Sequence, residues 1–168
     1  MEIVTPETDI ADDLADQWVS FAARQREYGS HILADENRTQ IRESITRHIV
    51  GDRLLVAREQ ELLGFVMFGL ESGTYEQSLT RGVVENLYVV PERRSEGIGS
   101  TLLEAAEDRL RERGVDAITL EVMTANESAR SFYRDHGYTP HRLECEKRVD
   151  GPATPRRVEN DNHSKDDG

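Results

Sequence analysis

The sequence predicts one mixed α/β domain over residues 1–149, followed by a polar tail over residues 150–168. Short β-type runs and amphipathic helical runs follow one another in the order β-α-α-β-β-β-α-β-α-β. A chain of 168 residues is also long enough to bury one hydrophobic core. The tail is rich in Pro, Gly, Asp, Asn and Arg and has little apolar content, a composition typical of disorder.

The N-terminal half predicts one strand, two helices and a pair of strands. Residues 2–5 form a β-type run, and Pro6 suits the first turn of the helix that follows. After a break at residues 27–31, the second helix has an apolar face made by Ile41, Ile45 and Ile49. The half ends with an antiparallel strand pair and a polar loop, at residues 53–58, 62–70 and 72–81.

The C-terminal half predicts alternating strands and helices. The helix after the fourth strand has an apolar face made by Leu102, Leu103, Ala106 and Leu110, and Gly114 ends it. Another helix is expected at residues 128–136, before Gly137. The strands are expected at residues 83–90 and 115–122, with one or two more within residues 138–149.

A turn with two glycines joins the fourth strand to the next helix and reads Arg94-x-x-Gly97-x-Gly99. The start of a helix presents unpaired backbone N–H groups and the positive end of the helix dipole, and glycine lets an anion approach them. This pattern predicts a pyrophosphate site. It lacks the Gly-Lys-Ser/Thr of a P-loop, and Leu102 stands where a dinucleotide-binding motif has its third glycine.

A second pattern follows a predicted strand and reads Asn126-x-x-Ala129-x-x-Phe132-Tyr133, then Gly-Tyr. Together the two patterns resemble the signature of the GCN5-related N-acetyltransferase (GNAT) superfamily, strongly over residues 83–138 and loosely over residues 1–149. Some features resemble the branch that acetylates the N-terminal alanine of ribosomal proteins. The resemblance implies a mostly antiparallel central sheet flanked by helices, with the fourth and fifth strands splayed around the acyl-CoA arm.

The resemblance also implies acetyl-CoA as co-substrate and assigns residues to hold it. The pyrophosphate would lie on Arg94, Ser95, Glu96, Gly97, Ile98, Gly99 and Ser100. The pantetheine arm would pair with the backbone of Leu87, Tyr88 and Val89. Asn126 would hydrogen-bond the arm, a role compatible with capping the helix that it precedes. No metal is expected.

Catalytic roles follow from the same resemblance. Tyr133 matches the family's general acid, and a phenol is a reasonable proton donor to a departing thiolate. Two glutamates compete for the role of general base. Glu121 matches the base of the ribosomal-protein branch, and Glu85 lies on the fourth strand, which supplies the base in other branches.

The expected reaction is direct attack of a primary amine on acetyl-CoA in a ternary complex. The acceptor is either a protein N-terminal amine or a small-molecule amine, and residues 27–32 and 72–81 are expected to line its pocket. The candidates within or beside these segments are Tyr28, His31, Glu71, Tyr75 and Glu76. The alternative function is a non-catalytic, regulatory domain that binds acyl-CoA.

Composition limits the partners. The chain has 33 acidic and 21 basic residues, a net charge of −12, which argues against a basic surface for nucleic acid. The chain has only two lysines, and this acidic, lysine-poor composition resembles that of proteins from salt-loving archaea. The alternative is an ordinary acidic protein from an arginine-rich genome.

The sequence also indicates where the protein is located. Cys145 is the single cysteine, and no signal peptide or apolar run of membrane-spanning length is present, so a soluble, cytoplasmic protein is expected. The sequence leaves a homodimer open.

Overall fold

The computed structural model describes residues 1–150, so the tail expected from residue 150 lies, apart from Asp150, outside the described residues. Short 3-10 turns at Thr8–Ile10, Asp35–Asn37 and Pro91–Arg93 connect the longer elements. These are β1 (Glu2–Val4), α1 (Ala11–Arg26), α2 (Arg38–Val50), β2 (Leu54–Arg58), β3 (Leu62–Leu70), β4 (Arg81–Val89), α3 (Ile98–Glu112), β5 (Ala117–Leu120) and α4 (Glu127–Asp135).

The described strands form one sheet in the order β1-β2-β3-β4-β5. The first four strands pair antiparallel with their neighbours, and β5 pairs parallel with β4. This arrangement confirms the predicted mixed, mostly antiparallel sheet flanked by helices. None of the described helices is long and apolar enough to cross a membrane.

Two hydrophobic cores lie on opposite faces of the sheet. One contains Leu14 of α1 and Ile45 of α2, and the other contains Leu102 of α3. Successive side chains of a strand point to opposite faces, so Phe65 of β3 joins the first core and Phe68 the second. A strand buried on both faces has no polar alternation, which explains the continuous apolar run of β3.

The C-terminal strands predicted within residues 138–149 are absent. Leu143 and Val149 are 74% and 87% exposed, and no described strand pairs with this segment. Most of its other side chains are charged or polar, so the segment offers little apolar surface to offset the entropy of ordering a strand.

Several predicted boundaries were also wrong, among them the start of the fourth strand, which is Arg81 rather than residue 83. The first helix begins at Ala11 rather than at Pro6, because the backbone at Glu7 is extended and a 3-10 turn comes before the helix. The fifth strand is Ala117–Leu120, which is shorter than the predicted 115–122. Its parallel pairing with β4 stops at Leu120, so Glu121 lies beyond the strand.

Candidate active site

The centre of the site is the place where β4 and β5 separate. Their pairing runs from Arg81 with Ala117 to Val84 with Leu120, whereas β4 continues to Val89 and pairs with β3 along this length. Residues 85–89 therefore have an edge that no described strand occupies. The splayed fourth and fifth strands expected from the sequence are present.

The direction of the β4 backbone decides which groups face this open edge. Val90 N–H donates to Leu63 on β3, and the backbone groups of alternate residues point the same way. The backbone of Tyr88 therefore faces β3, whereas the N–H and C=O groups of Leu87 and Val89 face the open edge. At one end of this edge, Arg94 Nε donates to the carbonyl of Val89 at 3.1 Å.

The first turn of α3 borders the same edge. Gly97 precedes the helix with a φ of +83°, and no side chain caps the helix start. A Cβ on Gly97 would have no atom within 4 Å, so open space lies beside it. A Cβ on Gly99 would lie 3.6 Å from the Phe132 ring and 3.7 Å from Val89. Uncapped N–H groups beside open space fit an anionic group.

The two arginines of the turn differ in their availability. Arg93 contacts Glu59 at 3.2 Å and Glu96 at 2.8 Å, and hydrogen bonds to these carboxylates raise its pKa. Arg94 lies 5.7 Å from the centre of the Tyr88 ring, and burial lowers its pKa. Within the described residues Arg94 forms no ion pair, so its charge is the more available of the two.

Asn126 is buried at the start of α4. Its Oδ1 accepts the backbone N–H of Ala129 at 3.1 Å, which makes it the N-cap of the helix. The side-chain nitrogen makes no hydrogen bond within the described residues. Capping therefore leaves a donor available.

Tyr133 is half-buried on α4. Its ring packs edge-on against Phe132 and Tyr138, with ring centres 5.2 and 5.9 Å away. Burial raises the pKa of Tyr133 to about 12, so the hydroxyl is protonated at neutral pH. The neighbouring Tyr138 hydroxyl donates to Glu107 at 2.9 Å, whereas that of Tyr133 has no partner within residues 1–150.

The two candidate bases occupy different environments. Glu85 lies at an irregularity of β4, where the register against β3 shifts, and its Oε2 is 2.5 Å from Nε2 of His48. The hydrogen bond from His48 is the main reason that the pKa of Glu85 lies below its usual value. Glu121 is exposed just after β5 and makes no ion pair within the described part of the chain.

The expected acceptor residues are only partly brought together. His31 contacts Glu146 of the C-terminal segment at 2.7 Å, while Glu71 forms two hydrogen bonds with Arg81, at 2.6 and 2.7 Å. Tyr75 is 85% exposed, and Tyr28 and Glu76 are half-buried and exposed respectively. An open groove of about 660 Å³ lies between α2 and the loop before it, and its lining includes Trp18, His31, Ile41 and Ser44.

Sequence reasoning missed His48, which is buried on α2 and faces Glu85. A signal was present in the sequence. His48 follows Ile45 by three residues, which places a polar residue on the apolar face of the helix. A polar residue in that position needs a hydrogen-bonding partner, but the sequence does not identify Glu85 as that partner.

Known proteins resemble this chain in sequence and in fold. The family model described as Acetyltransferase (GNAT) family matches residues 10–138. Mycothiol acetyltransferase of Clavibacter michiganensis subsp. michiganensis is 35% identical over 136 residues, covering 74% of this chain and 39% of the relative. The chain thus spans about two fifths of the length of this curated relative.

Two solved structures share the fold. A mutant BH1408 protein from Bacillus halodurans has a TM-score of 0.76 at 22% identity, covering 89% of this chain and 99% of that chain. A ribosomal-protein-alanine N-acetyltransferase from Brucella melitensis biovar Abortus 2308 has a TM-score of 0.61 at 19% identity, covering 89% and 100%. At these identities the likeness shows the fold alone.

Proposed function

We propose that this chain, which belongs to the acetyltransferase (GNAT) family, transfers an acetyl group from acetyl-CoA to a primary amine. One observation carries the proposal. The open edge of β4 lies beside the uncapped start of α3, and Phe132 and Tyr133 of α4 pack against the same hydrophobic cluster as Val89 of β4. This arrangement combines backbone donors for an acyl-CoA with a protonated hydroxyl.

The donor side consists of the open edge of β4, the first turn of α3 and the start of α4. The N–H groups around Gly97 and Gly99 would hold the pyrophosphate, with the Arg94 charge nearby. Leu87 and Val89 would pair with the pantetheine amides as an added strand would. The side-chain nitrogen of Asn126 would donate to the same arm. Tyr88 would act through its ring, which lies beneath Arg94.

Bound acetyl-CoA supplies a thioester, whose acetyl group passes to the acceptor nitrogen while CoA leaves as the thiol. A backbone N–H on the open edge of β4 would polarise the carbonyl, a contribution of the oxyanion-hole type. Tyr133 would donate its O–H proton toward the departing sulfur. A phenol with its ordinary pKa of about 10 already keeps this proton at neutral pH, and the rise of the pKa to about 12 makes Tyr133 a weaker proton donor.

Glu85 is the better candidate for the base. It is fixed by His48 at the point where β4 and β5 separate, and its side chain is 37% exposed, so it remains accessible to water or to an amine. Its lowered pKa keeps the carboxylate ionised at neutral pH but makes it a weaker proton acceptor. Glu121 has no comparable support from the described residues.

A small-molecule amine is the acceptor that we favour. The acceptor side consists of the loop after α1, the facing part of α2, Glu85 and the stretch around Glu146, which contacts His31. The match to mycothiol acetyltransferase is longer than the segment from Val83 to the C-terminus. It therefore also includes part of the N-terminal half of the chain, which supplies α2 and the loop after α1 to the acceptor side. The carboxylates of Glu43 and Glu85 on this side suit a cationic amine.

The test is acetyl transfer from isotope-labelled acetyl-CoA, with products identified by mass spectrometry. One panel contains small-molecule amines, and the other contains peptides with free N-termini and their blocked counterparts. We expect labelled small-molecule products and a loss of about 10²–10⁴ in rate for Glu85→Gln, with Glu121→Gln close to wild type.

The other outcomes identify the alternatives. Labelling of free peptide N-termini alone would make the chain a protein N-terminal acetyltransferase. Binding of CoA without transfer to either panel would support a non-catalytic acyl-CoA-binding domain. A homodimer stays a prediction, and light scattering of the purified protein would test it.

A further inference from the structure

His48 is a buried histidine whose two ring nitrogens both face oxygen acceptors. Nδ1 is 2.7 Å from the backbone carbonyl of Ser44, and Nε2 is 2.5 Å from Oε2 of Glu85. A carbonyl oxygen can only accept, so Nδ1 carries a proton. If Glu85 is ionised, Nε2 must carry a proton as well, and the pair is an imidazolium with a carboxylate.

The β4 irregularity brings Glu85 to this histidine. Met67 pairs with Asn86 and Phe68 pairs with Val84, so Glu85 is the extra residue of a bulge. A bulge changes the alternation of side chains along a strand, and here it turns Glu85 toward α2. The same residue stands where β4 loses its pairing with β5.

The charged groups that influence Glu85 come from two neighbouring elements. His48 reaches it from α2, and the charge of Arg53 acts on it from the turn before β2. The β3 residues opposite the bulge, Met67 and Phe68, are apolar. His48 is the group that hydrogen-bonds it, and Oε1 of Glu85 makes no hydrogen bond within the described residues.

We propose that His48 is a positioning residue for acetyl transfer: it holds Oε2 of Glu85 and leaves Oε1 available to the acceptor amine. This inference rests on the proposed function. An N–H bond of the acceptor ammonium breaks, an O–H bond forms at Oε1 directly or through one water, and the electron pair stays on nitrogen. Glu85 then releases the proton to solvent through its exposed side.

The first experiment does not need catalysis. Carbon-13 NMR follows the titration of the Glu85 side-chain carboxyl in wild type, His48→Gln and the exposed-histidine control His141→Gln. Glutamine at position 48 can still donate a hydrogen bond but has no charge. We expect the Glu85 midpoint to rise by about one pH unit in His48→Gln and to stay unchanged in the control.

The second experiment measures kcat/KM against pH for His48→Gln, His48→Phe, Glu85→Gln and the double variant His48→Gln/Glu85→Gln. A base must be ionised to act, so a higher midpoint for Glu85 moves the acidic limb of the profile to higher pH. His48→Phe removes the hydrogen bond and should lower kcat/KM by about tenfold to a hundredfold, more than His48→Gln. In the Glu85→Gln background, replacing His48 should have no further effect.

Each outcome bears on a separate claim. An unchanged Glu85 midpoint in His48→Gln overturns the inference, and so do additive effects in the double variant, because an independent structural role would add. A wild-type protein that acetylates no amine overturns the proposed function, while the NMR titration still tests whether His48 holds the carboxylate. Thermal melting of each variant confirms that it is folded.

Discussion

The donor and acceptor sides of the site are assembled from different ranges of the chain. Each part of the donor side is a single short segment, namely residues 85–89 of β4, the glycine turn with the start of α3, or α4 with its cap. The acceptor side depends on contacts between distant residues. His48 and Glu85 are 37 residues apart, and His31 and Glu146 are 115 apart.

This difference explains why one side has a sequence signature and the other does not. On the donor side, backbone groups do most of the proposed binding. The sequence must therefore supply residues that can adopt the required backbone conformation, such as the glycine at position 97 with its positive φ. An ion pair imposes no comparable rule, since several pairs of residue types can form it. The four predictions below test how independent the two sides are.

The largest expected effect is on the donor side, at Tyr133. Tyr133→Phe keeps the ring and its edge-on contacts and removes the hydroxyl. If that hydroxyl protonates the leaving sulfur, kcat should fall by about 10²–10⁴. The KM for acetyl-CoA should change little, because the interaction is made in the transition state. Steady-state kinetics would measure both values.

Tyr138→Phe is the matched control, since its ring lies beside Tyr133 but its hydroxyl is held by Glu107. It should lower the melting temperature slightly and leave kcat near wild type. Near-normal turnover of Tyr133→Phe, with chemistry shown to be rate-limiting, would leave Tyr133 a packing residue.

The next effect concerns cofactor binding at Gly99. A Cβ there would make ordinary contacts with Phe132 and Val89, and alanine favours a helix, so Gly99→Ala should fold at least as stably as wild type. The added methyl would occupy the space between the first turn of α3, Phe132 and Val89, at the end of the open edge of β4. We expect CoA affinity to fall by about tenfold, the equivalent of one hydrogen bond to a charged group, in calorimetry.

Gly97→Val is a weaker test of the same turn, because a φ of +83° strains any side chain there. Gly73→Ala is the control, in a loop where a Cβ would meet no atom within 4 Å. Wild-type CoA affinity in Gly99→Ala would remove this turn from the proposed pyrophosphate site.

A smaller effect is expected at Asp52, which connects the N-terminal half of the chain to α3 through its contact with Arg109. Burial raises the pKa of Asp52, but hydrogen bonds from Thr5 and Arg109 outweigh it and hold the pKa below the usual value. A lowered folded-state pKa stabilises the protein above the unfolded-state pKa, and this contribution is lost as pH falls through the folded-state pKa. Asparagine tolerates the positive φ of position 52, so Asp52→Asn removes the charge without straining the backbone.

Asp52→Asn should therefore melt below wild type at neutral pH, and the difference should close below about pH 4. Asp52 is half-exposed, so screening by solvent limits the loss to about 1 kcal/mol. Thermal melting across pH would measure it. CoA affinity should not change, and a marked change would mean that the two sides are coupled through this contact.

The smallest and least local effect is that of salt. With a net charge of −12, repulsion across the chain should be screened as KCl rises from low to molar concentration, so the melting temperature should rise. Exposed ion pairs such as Arg38 with Asp16 and Arg42 with Asp12 would be weakened over the same range, which opposes the gain. A flat or falling melting temperature would favour an ordinary acidic protein over one adapted to high salt.

Most of the fold followed from local patterns. The apolar face of α3 was predicted residue by residue, and Leu102, Leu103, Ala106 and Leu110 are all buried. The same local reasoning wrongly predicted strands within residues 138–149. Leu143 and Val149 alternate with charged residues as in a strand, but whether such a segment pairs depends on apolar surface elsewhere that no local pattern encodes.

By itself, the sequence determined the order of the described helices and strands, the glycine turn, the Asn126 cap and the position of Tyr133 on its helix. These features depend on backbone conformation and on residues within one or two turns of each other. Only the tertiary structure decided that β4 and β5 part after Val84, that Glu85 sits in a bulge and that His48 is its partner. The physical reason is that register shifts and contacts between distant side chains are set by how whole elements pack together, which short-range patterns do not specify.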